Sequence, residues 1–255
     1  MHLGNCVDVL PTLAPVEHVI TDPPFEFEAH TKQRRSLKDA TQKKGAANTG
    51  AVRRVDAVLP FAAIDEKTRA AVSFEFARMA SRWVLVFCQA EAIAAWRLML
   101  ESAGLDWVRA GVWIKPNGMP QFTGDRPGQG YESIAIAHPK GRKRWNGGGS
   151  HGVWNIPLDH NAGGGGKSEH PTKKADAIML ALVEDFTDEG ETILDPFAGS
   201  GTTLVAALRL GRKAIGIEKD PKYFQLACDR LRAEESSSTL VAARAGQTAL
   251  FAGSK

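Results

Sequence analysis

Short apolar runs alternate with helical periodicity along most of this chain. Val16–Thr21, Trp83–Cys88, Trp107–Ile114, Glu132–His138, Glu191–Leu194 and Lys213–Glu218 read as strands, with Met1–Gly4 a candidate seventh. Helical patterns lie between them. One spans Asp65 to Ala80 behind an aspartate N-cap, and one spans Glu91 to Ala103 and stops at Gly104. Asp176–Thr187 keeps an apolar patch, Thr202–Leu210 stops at Gly211, and Asp220-Pro221 opens a last helix with a capping acid and a first-turn proline. Strands alternating with helices predict an α/β domain whose mostly parallel sheet is covered on both faces. The 255 residues suit a single domain, 1–255, with insertions.

Three segments break the rhythm. Residues 29–58 are polar and basic, 116–130 are full of turn residues, and 139–167 hold runs of glycine. Long loops in a compact domain are usually functional. From Glu235 onward the chain reads as a loose tail, 235–255.

Composition narrows the class. The chain is 43% hydrophobic and shows no run of eighteen apolar residues and no signal-peptide pattern. Its three cysteines, Cys6, Cys88 and Cys228, have no metal or disulfide spacing, so a reduced, cytoplasmic protein is expected. The net charge of +3 is unevenly spread. His30–Arg54 holds eight basic residues (Lys32, Arg34, Arg35, Lys38, Lys43, Lys44, Arg53, Arg54) against Asp39, so it carries +7 and the remainder about −4. A second basic knot, "HPKGRKRW", contains Arg142, Lys143 and Arg144. Two such clusters on a mildly acidic body suit a polyanionic partner, while either alone is equally a solvated loop.

Two motifs carry chemistry. In "HVITDPPF" a strand ends on Asp22-Pro23-Pro24-Phe25. Adjacent prolines donate no hydrogen bonds and hold the backbone stiff and extended. A carboxylate, a free carbonyl and an aromatic ring therefore stand together, a clamp for something flat and polar. In "ETILDPFAGSGTTLVAALRLGRKAIGIEKD" a strand ends at Asp195, a glycine turn opens a helix, and a second strand ends at Glu218. This is a mononucleotide-binding unit of Rossmann type, in which an acid about twenty residues on takes the ribose hydroxyls. Asp195 ahead of the loop suits a cationic ligand, not a phosphate at a helix N-terminus. No Lys-Ser/Thr follows the glycines, so this is not a Walker loop. S-adenosylmethionine, a sulfonium carrying an adenosine, fits this donor set.

Together the motifs resemble those of the amino-directed DNA methyltransferases that use S-adenosylmethionine. "DPPF" resembles their catalytic motif, "DPFAGSGTT" their cofactor motif, and "SEHPTKKADAIMLALVEDFT" their His-Pro-Thr signature. "LGNCVDVLPTLAPVEHVITDPPF" resembles the usual lead-in to the catalytic motif. Catalytic motif first and cofactor motif last is the circularly permuted order of the β class. The chain departs from that pattern at Asn5, where Asp is usual, at Ala175, where Pro is usual, and at Phe25, where Tyr is commoner.

The resemblance implies a three-layer Rossmann-like fold of about seven strands. It implies transfer of a methyl group to an amine of a base extruded from double-stranded DNA. Asp22 and the Pro23 carbonyl would accept the amine's hydrogens, Pro24 would stiffen the clamp, and Phe25 would stack on the base. Asn5, Cys6, Asp22, Asp195, Phe197, Gly199, Ser200, Gly201 and Thr202 would line the cofactor. Glu218 and Lys219 would lie at its ribose, and His170, Thr172 and Lys173 at its methionine end. Lys32, Arg34, Arg35, Lys38, Lys43, Lys44, Arg126, Arg142, Lys143 and Arg144 would hold phosphates. The loops 116–130 and 139–167, with Gln121, Gln129, Trp145 and Asn146, would read the target. A homodimer is expected, and no metal. An aspartate opening the catalytic motif favours adenine N6. The alternatives are cytosine N4 and, in another class, a DNA-binding module without catalysis.

Overall fold

The computed structural model describes residues 1–24, 64–118, 124–125, 127–158 and 176–251, and for 237–251 only the helical backbone. Eight strands form one sheet: β1 (His2–Leu3), β2 (His18–Thr21), β3 (Val84–Cys88), β4 (Asp106–Ile114), β5 (Tyr131–His138), β6 (Val153–Asn155), β7 (Thr192–Asp195) and β8 (Lys213–Glu218), in the order β1-β8-β7-β2-β3-β5-β4-β6. The helices are α1 (Cys6–Val9), α2 (Glu66–Met79), α3 (Ile93–Ser102), α4 (Asp176–Phe186), α5 (Thr202–Arg209) and α6 (Pro221–Phe251).

The central strands β2, β3, β5 and β7 are almost wholly buried because both faces of the sheet are covered there. Side chains alternate between two cores. Val19, Val84, Val86, Ala135 and Leu194 point to one face, where α2 and α3 supply Val72, Phe76, Met79, Trp96 and Leu100. Ile20, Leu85, Phe87, Ile134 and Ile193 point to the other, against Ile178, Leu182 and Phe186 of α4 and Ala206 and Ala207 of α5. The caps follow the sequence. The Asp65 carboxylate accepts the Thr68 N–H at 2.7 Å to start α2, and Gly104, at φ 99°, follows α3.

Parallel pairing joins β1 to β8, β8 to β7, β7 to β2, β2 to β3 and β4 to β6, while β5 runs antiparallel to β3 and β4. From β2 the sheet continues through β3, and from β7 it continues the opposite way through β8. The chain order therefore reverses between β2 and β7, and a crevice opens at the carboxyl ends of these two strands, where open α/β sheets bind ligands.

Three expectations need correction. The sheet has an eighth strand, β6, inside the segment 139–167 read as loop; three residues around Trp154 are too short for an alternation to register. The helix read over Glu91–Ala103 begins as a 3₁₀ turn, Ala90–Ala92, and is α-helical only from Ile93. The tail read as loose from Glu235 continues α6 as far as Phe251. Among the described residues no helix is long and apolar enough to cross a membrane.

Candidate active site

The Asp22 clamp and the glycine loop meet at the crevice. Thr21, the last residue of β2, donates from Oγ1 to Asp195 Oδ1 at 2.7 Å, and the same carboxylate oxygen accepts the Phe197 N–H at 3.1 Å. Asp195 is 2% exposed. Burial pushes its carboxyl up to about 6; hydrogen bonds from Thr21, Thr203 and Phe197 pull the other way, and the charge of Asp22 adds to the rise. A buried acid thus fixes the end of β2, one residue before Asp22, to the start of the glycine loop.

The loop is shaped by glycines that take left-handed φ, Gly199 at 51° and Gly201 at 80°. Gly201 also lets α5 approach α6, since a Cβ there would stand 3.1 Å from that of Ala227. Gly199 N–H donates to Glu218 Oε2 at 2.8 Å, and Glu218 Oε1 accepts the Asp220 N–H at 2.8 Å. The Glu218 carboxylate is therefore held at the end of β8 by two backbone donors. Arg230 of α6 donates to the Ser200 carbonyl at 2.6 Å and to the Ser200 and Thr202 hydroxyls at 3.3 Å. It also lies 3.6 Å from Asp176, the first residue of α4.

The N-terminal turn closes the same edge. Gly4 N–H donates to the Glu218 carbonyl at 3.0 Å, and the Asn5 side chain caps α1 by accepting the Val7 N–H at 3.3 Å. Asn5 fills the capping role that an aspartate would. Cys6 is buried, which pushes its thiol up to about 11, with backbone N–H groups and the charge of Lys219 opposing the shift. Asn5, Cys6, Asp22, Pro23, Pro24, Asp195, Phe197, Gly199, Ser200, Gly201, Thr202, Glu218 and Lys219 thus share one end of the sheet. Among the described residues no group of His, Cys, Asp and Glu is arranged to hold a metal ion.

Sequence reasoning passed over a further pair here. Lys115, just beyond β4, forms an ion pair with Glu132 of β5 and lies 4.8 Å from the centre of the Trp113 ring. Burial brings its ammonium down to about 8, and the negative charge of Asp22 opposes that fall. The signal available was a lone lysine at the end of an apolar run, "VWIKPN". Arg230 and Thr21 were also passed over; neither belongs to a recognisable motif.

The family model described as "DNA methylase", covering N6 and N4 enzymes, matches residues 16–229. The chain belongs to this family. The type II methyltransferase M.XycI of Xanthomonas campestris pv. cyanopsidis is 31% identical over 162 residues, 58% of this chain and 52% of that protein. M2.DpnII of Streptococcus pneumoniae, also a type II methyltransferase, is 46% identical over 70 residues, 28% of this chain and 26% of that one. The match thus spans about half of the first relative and a quarter of the second. The M1.HpyAVI–SAM complex superposes with a TM-score of 0.66 at 24% identity, covering 90% of this chain and 97% of that one. PvuII DNA methyltransferase, cytosine-N4-specific, gives 0.65 at 16% identity, covering 89% and 84%.

The chain has a second polar edge, where other expected site residues lie. Because β5 runs antiparallel to β3, the segment after His138 starts from the opposite end of the sheet to Asp22. There Lys143 pairs with Asp106 at 2.9 Å and Arg144 with Asp188 at 3.1 Å. Asn146 donates to the Thr187 carbonyl at 2.9 Å, and Trp145 packs edge-on against Phe186. The fold therefore does not bring Arg142, Lys143, Arg144, Trp145 and Asn146 to the crevice. The other expected positions, Phe25, Lys32, Arg34, Arg35, Lys38, Lys43, Lys44, Gln121, Arg126, His170, Thr172 and Lys173, lie outside the described residues.

Proposed function

We propose that this DNA methylase binds S-adenosylmethionine and transfers its methyl group to the N6 amine of an adenine extruded from duplex DNA. The observation that carries the proposal is the Thr21–Asp195 hydrogen bond, which joins the catalytic and cofactor motifs at adjoining strand ends. The donor set fits the cofactor. Glu218, oriented by two backbone N–H groups, keeps acceptor capacity for ribose hydroxyls. Asp195 and Asp22 place carboxylates where a cationic ligand is stabilised. When bound, the cofactor supplies an electrophilic methyl group.

The protein's task is alignment. An exocyclic amine is a weak nucleophile because its lone pair is delocalised into the ring. Asp22 and the Pro23 carbonyl accept its two N–H groups, which favours a pyramidal nitrogen with its lone pair turned outward. Asp22 takes the proton that becomes acidic once the methyl has moved. Phe25 stacks on the base, a contact worth about 1–3 kcal/mol. Extrusion costs a few kcal/mol, and the cations of residues 29–58 offset it by holding phosphates. Paired copies acting on one duplex are part of this proposal.

The test is methyl transfer from labelled S-adenosylmethionine to unmethylated plasmid, with Asp22→Ala alongside, followed by nucleoside analysis. The expected outcome is label in N6-methyladenine that vanishes in the variant. Label in N4-methylcytosine would keep the chemistry and overturn the base. Bound cofactor with no transfer would favour a DNA-binding module.

A further inference from the structure

The edge that holds Asp22 is crowded with acids. Asp195 stands at the end of neighbouring β7 and Glu132 at the start of β5, and between β2 and β5 the chain of β3 supplies Phe87, Cys88 and the buried, uncharged Gln89 at this level. On the same face α4 contributes the apolar Ile178, Met179 and Leu182, while the acid at its first residue, Asp176, pairs with Arg209 and Arg230 and its other two, Glu184 and Asp185, lie in its last turn. Among the described residues, Lys115 is the cation that pairs with Glu132 in this group. Its side chain is 13% exposed and that of Glu132 is 10% exposed, so the pair is largely withdrawn from water. Register explains the placement: Trp113 faces Glu132 across the ladder, so Lys115, two residues on, leaves β4 on the same face as Trp113 and reaches back to Glu132. Ile20 and Trp113 lie in the same buried cluster, so Asp22 and Lys115, each two residues further along, leave the same end of the sheet on the same face, where the charge of Asp22 acts on the ammonium.

We propose that Lys115 is a positioning residue: its ammonium, fixed by Glu132 and the Trp113 ring, is the counter-charge that keeps Asp22 ionised as an acceptor for the amine of the target base. The role in catalysis rests on the methyl-transfer reading above; the charge relation itself does not. Without Lys115, the neighbouring carboxylates disfavour the Asp22 anion and raise its pKa. With Lys115 replaced by arginine, the cation persists at every working pH.

The experiment follows the Asp22 side-chain carboxyl by NMR in isotope-labelled protein, assigned with Asp22→Asn, through a pH titration of wild type, K115M, K115R and E132Q. In K115M the Asp22 midpoint rises by about one pH unit, the scale set by a nearby opposite charge. In K115R it stays, and in E132Q it falls, because the ammonium is no longer shared. The second readout is kcat against pH. The acid limb moves up in K115M, and the wild-type decline above pH 8, where Lys115 loses its proton, is absent in K115R. KM for the cofactor stays constant, which a general packing defect would not allow. An Asp22 midpoint unchanged in both K115M and E132Q overturns the inference. A midpoint that moves in a protein without methyl transfer overturns the proposed activity and leaves the charge relation standing.

Discussion

Strands β2 and β7 lie side by side, and their two ends have been put to opposite uses. At their starts, charge answers charge. His18 Nε2 donates to Glu191 at 2.8 Å, and Arg82 bridges Glu191 and, at 3.0 Å, Asp188, which also meets Arg144. At their carboxyl ends, Asp195 and, on neighbouring β8, Glu218 are held by hydroxyl and backbone N–H groups. An ion-pair network spends its charges on its own members and leaves little net charge to offer a ligand. An acid oriented by neutral donors keeps its net charge and spare lone pairs directed into the crevice. The difference separates a stabilising edge from a reactive one within a single pair of strands.

That contrast is open to direct tests. The largest effect belongs to the reactive edge. Asp22→Asn should lower kcat roughly 10²–10³-fold, the scale for one preplaced polar group, with thermal unfolding little changed. Arg82→Ala is the mirror case. It leaves Glu191 and Asp188 half-buried without their common partner. The cost, discounted for partial exposure, is about 2 kcal/mol, seen as a drop of roughly 4–8 °C in Tm with kcat retained.

The two edges should also respond to pH with opposite signs. Burial lowers the His18 imidazole below its ordinary 6.5, with the Glu191 hydrogen bond opposing. The unfolded chain therefore binds that proton more readily. The contribution of His18 is complete above pH 6.5 and is lost as pH falls through the lowered folded value, and His18→Gln should flatten that slope in denaturant titrations. Asp195 is raised from 3.8 to about 6, so the folded state binds the extra proton. Its contribution is present below pH 3.8 and is lost as pH rises to about 6. Asp195→Asn should be at least as stable as wild type at neutral pH while binding cofactor more weakly, by calorimetry. The smallest effect is expected of Lys143→Ala. Its pair with Asp106 is partly exposed, and the variant should unfold at the same denaturant concentration as wild type. It should also leave the salt dependence of DNA binding unchanged, whereas neutralising Lys32, Arg34 and Arg35 together should flatten that dependence.

Much of the reactive edge was legible because its signals are local. Strand, glycine turn, helix and terminal acid occur within one thirty-residue stretch, and stiff prolines follow Asp22 directly. The stabilising edge was not legible. His18 and Glu191 are 173 residues apart and meet only because β2 pairs with β7. The position of Arg142, Lys143 and Arg144 has the same origin: the basic knot is plain in sequence, but only the antiparallel course of β5 tells that it lies at the end of the sheet away from Asp22. Trp154 also makes a distant contact: its ring lies beside Gly111 and its Nε1–H is donated to Asp185 at 2.8 Å, a residue 31 positions away. Lys115 escaped because a single lysine after a strand has no pattern; its meaning comes from Glu132 and Asp22, which other strands deliver.

The sheet order also sets a timetable for synthesis. The ribosome makes β2 and the Asp22 clamp well before β7, one of β2's two partners, which follows about 170 residues later. Until β7 emerges, β2 has an open edge and Thr21 lacks its acceptor. Contacts this distant form slowly and leave apolar strand surface exposed while the chain waits. Nascent chains halted before Thr192 should therefore engage chaperones through Val19 and Ile20, and release from them should follow the arrival of β7 and β8.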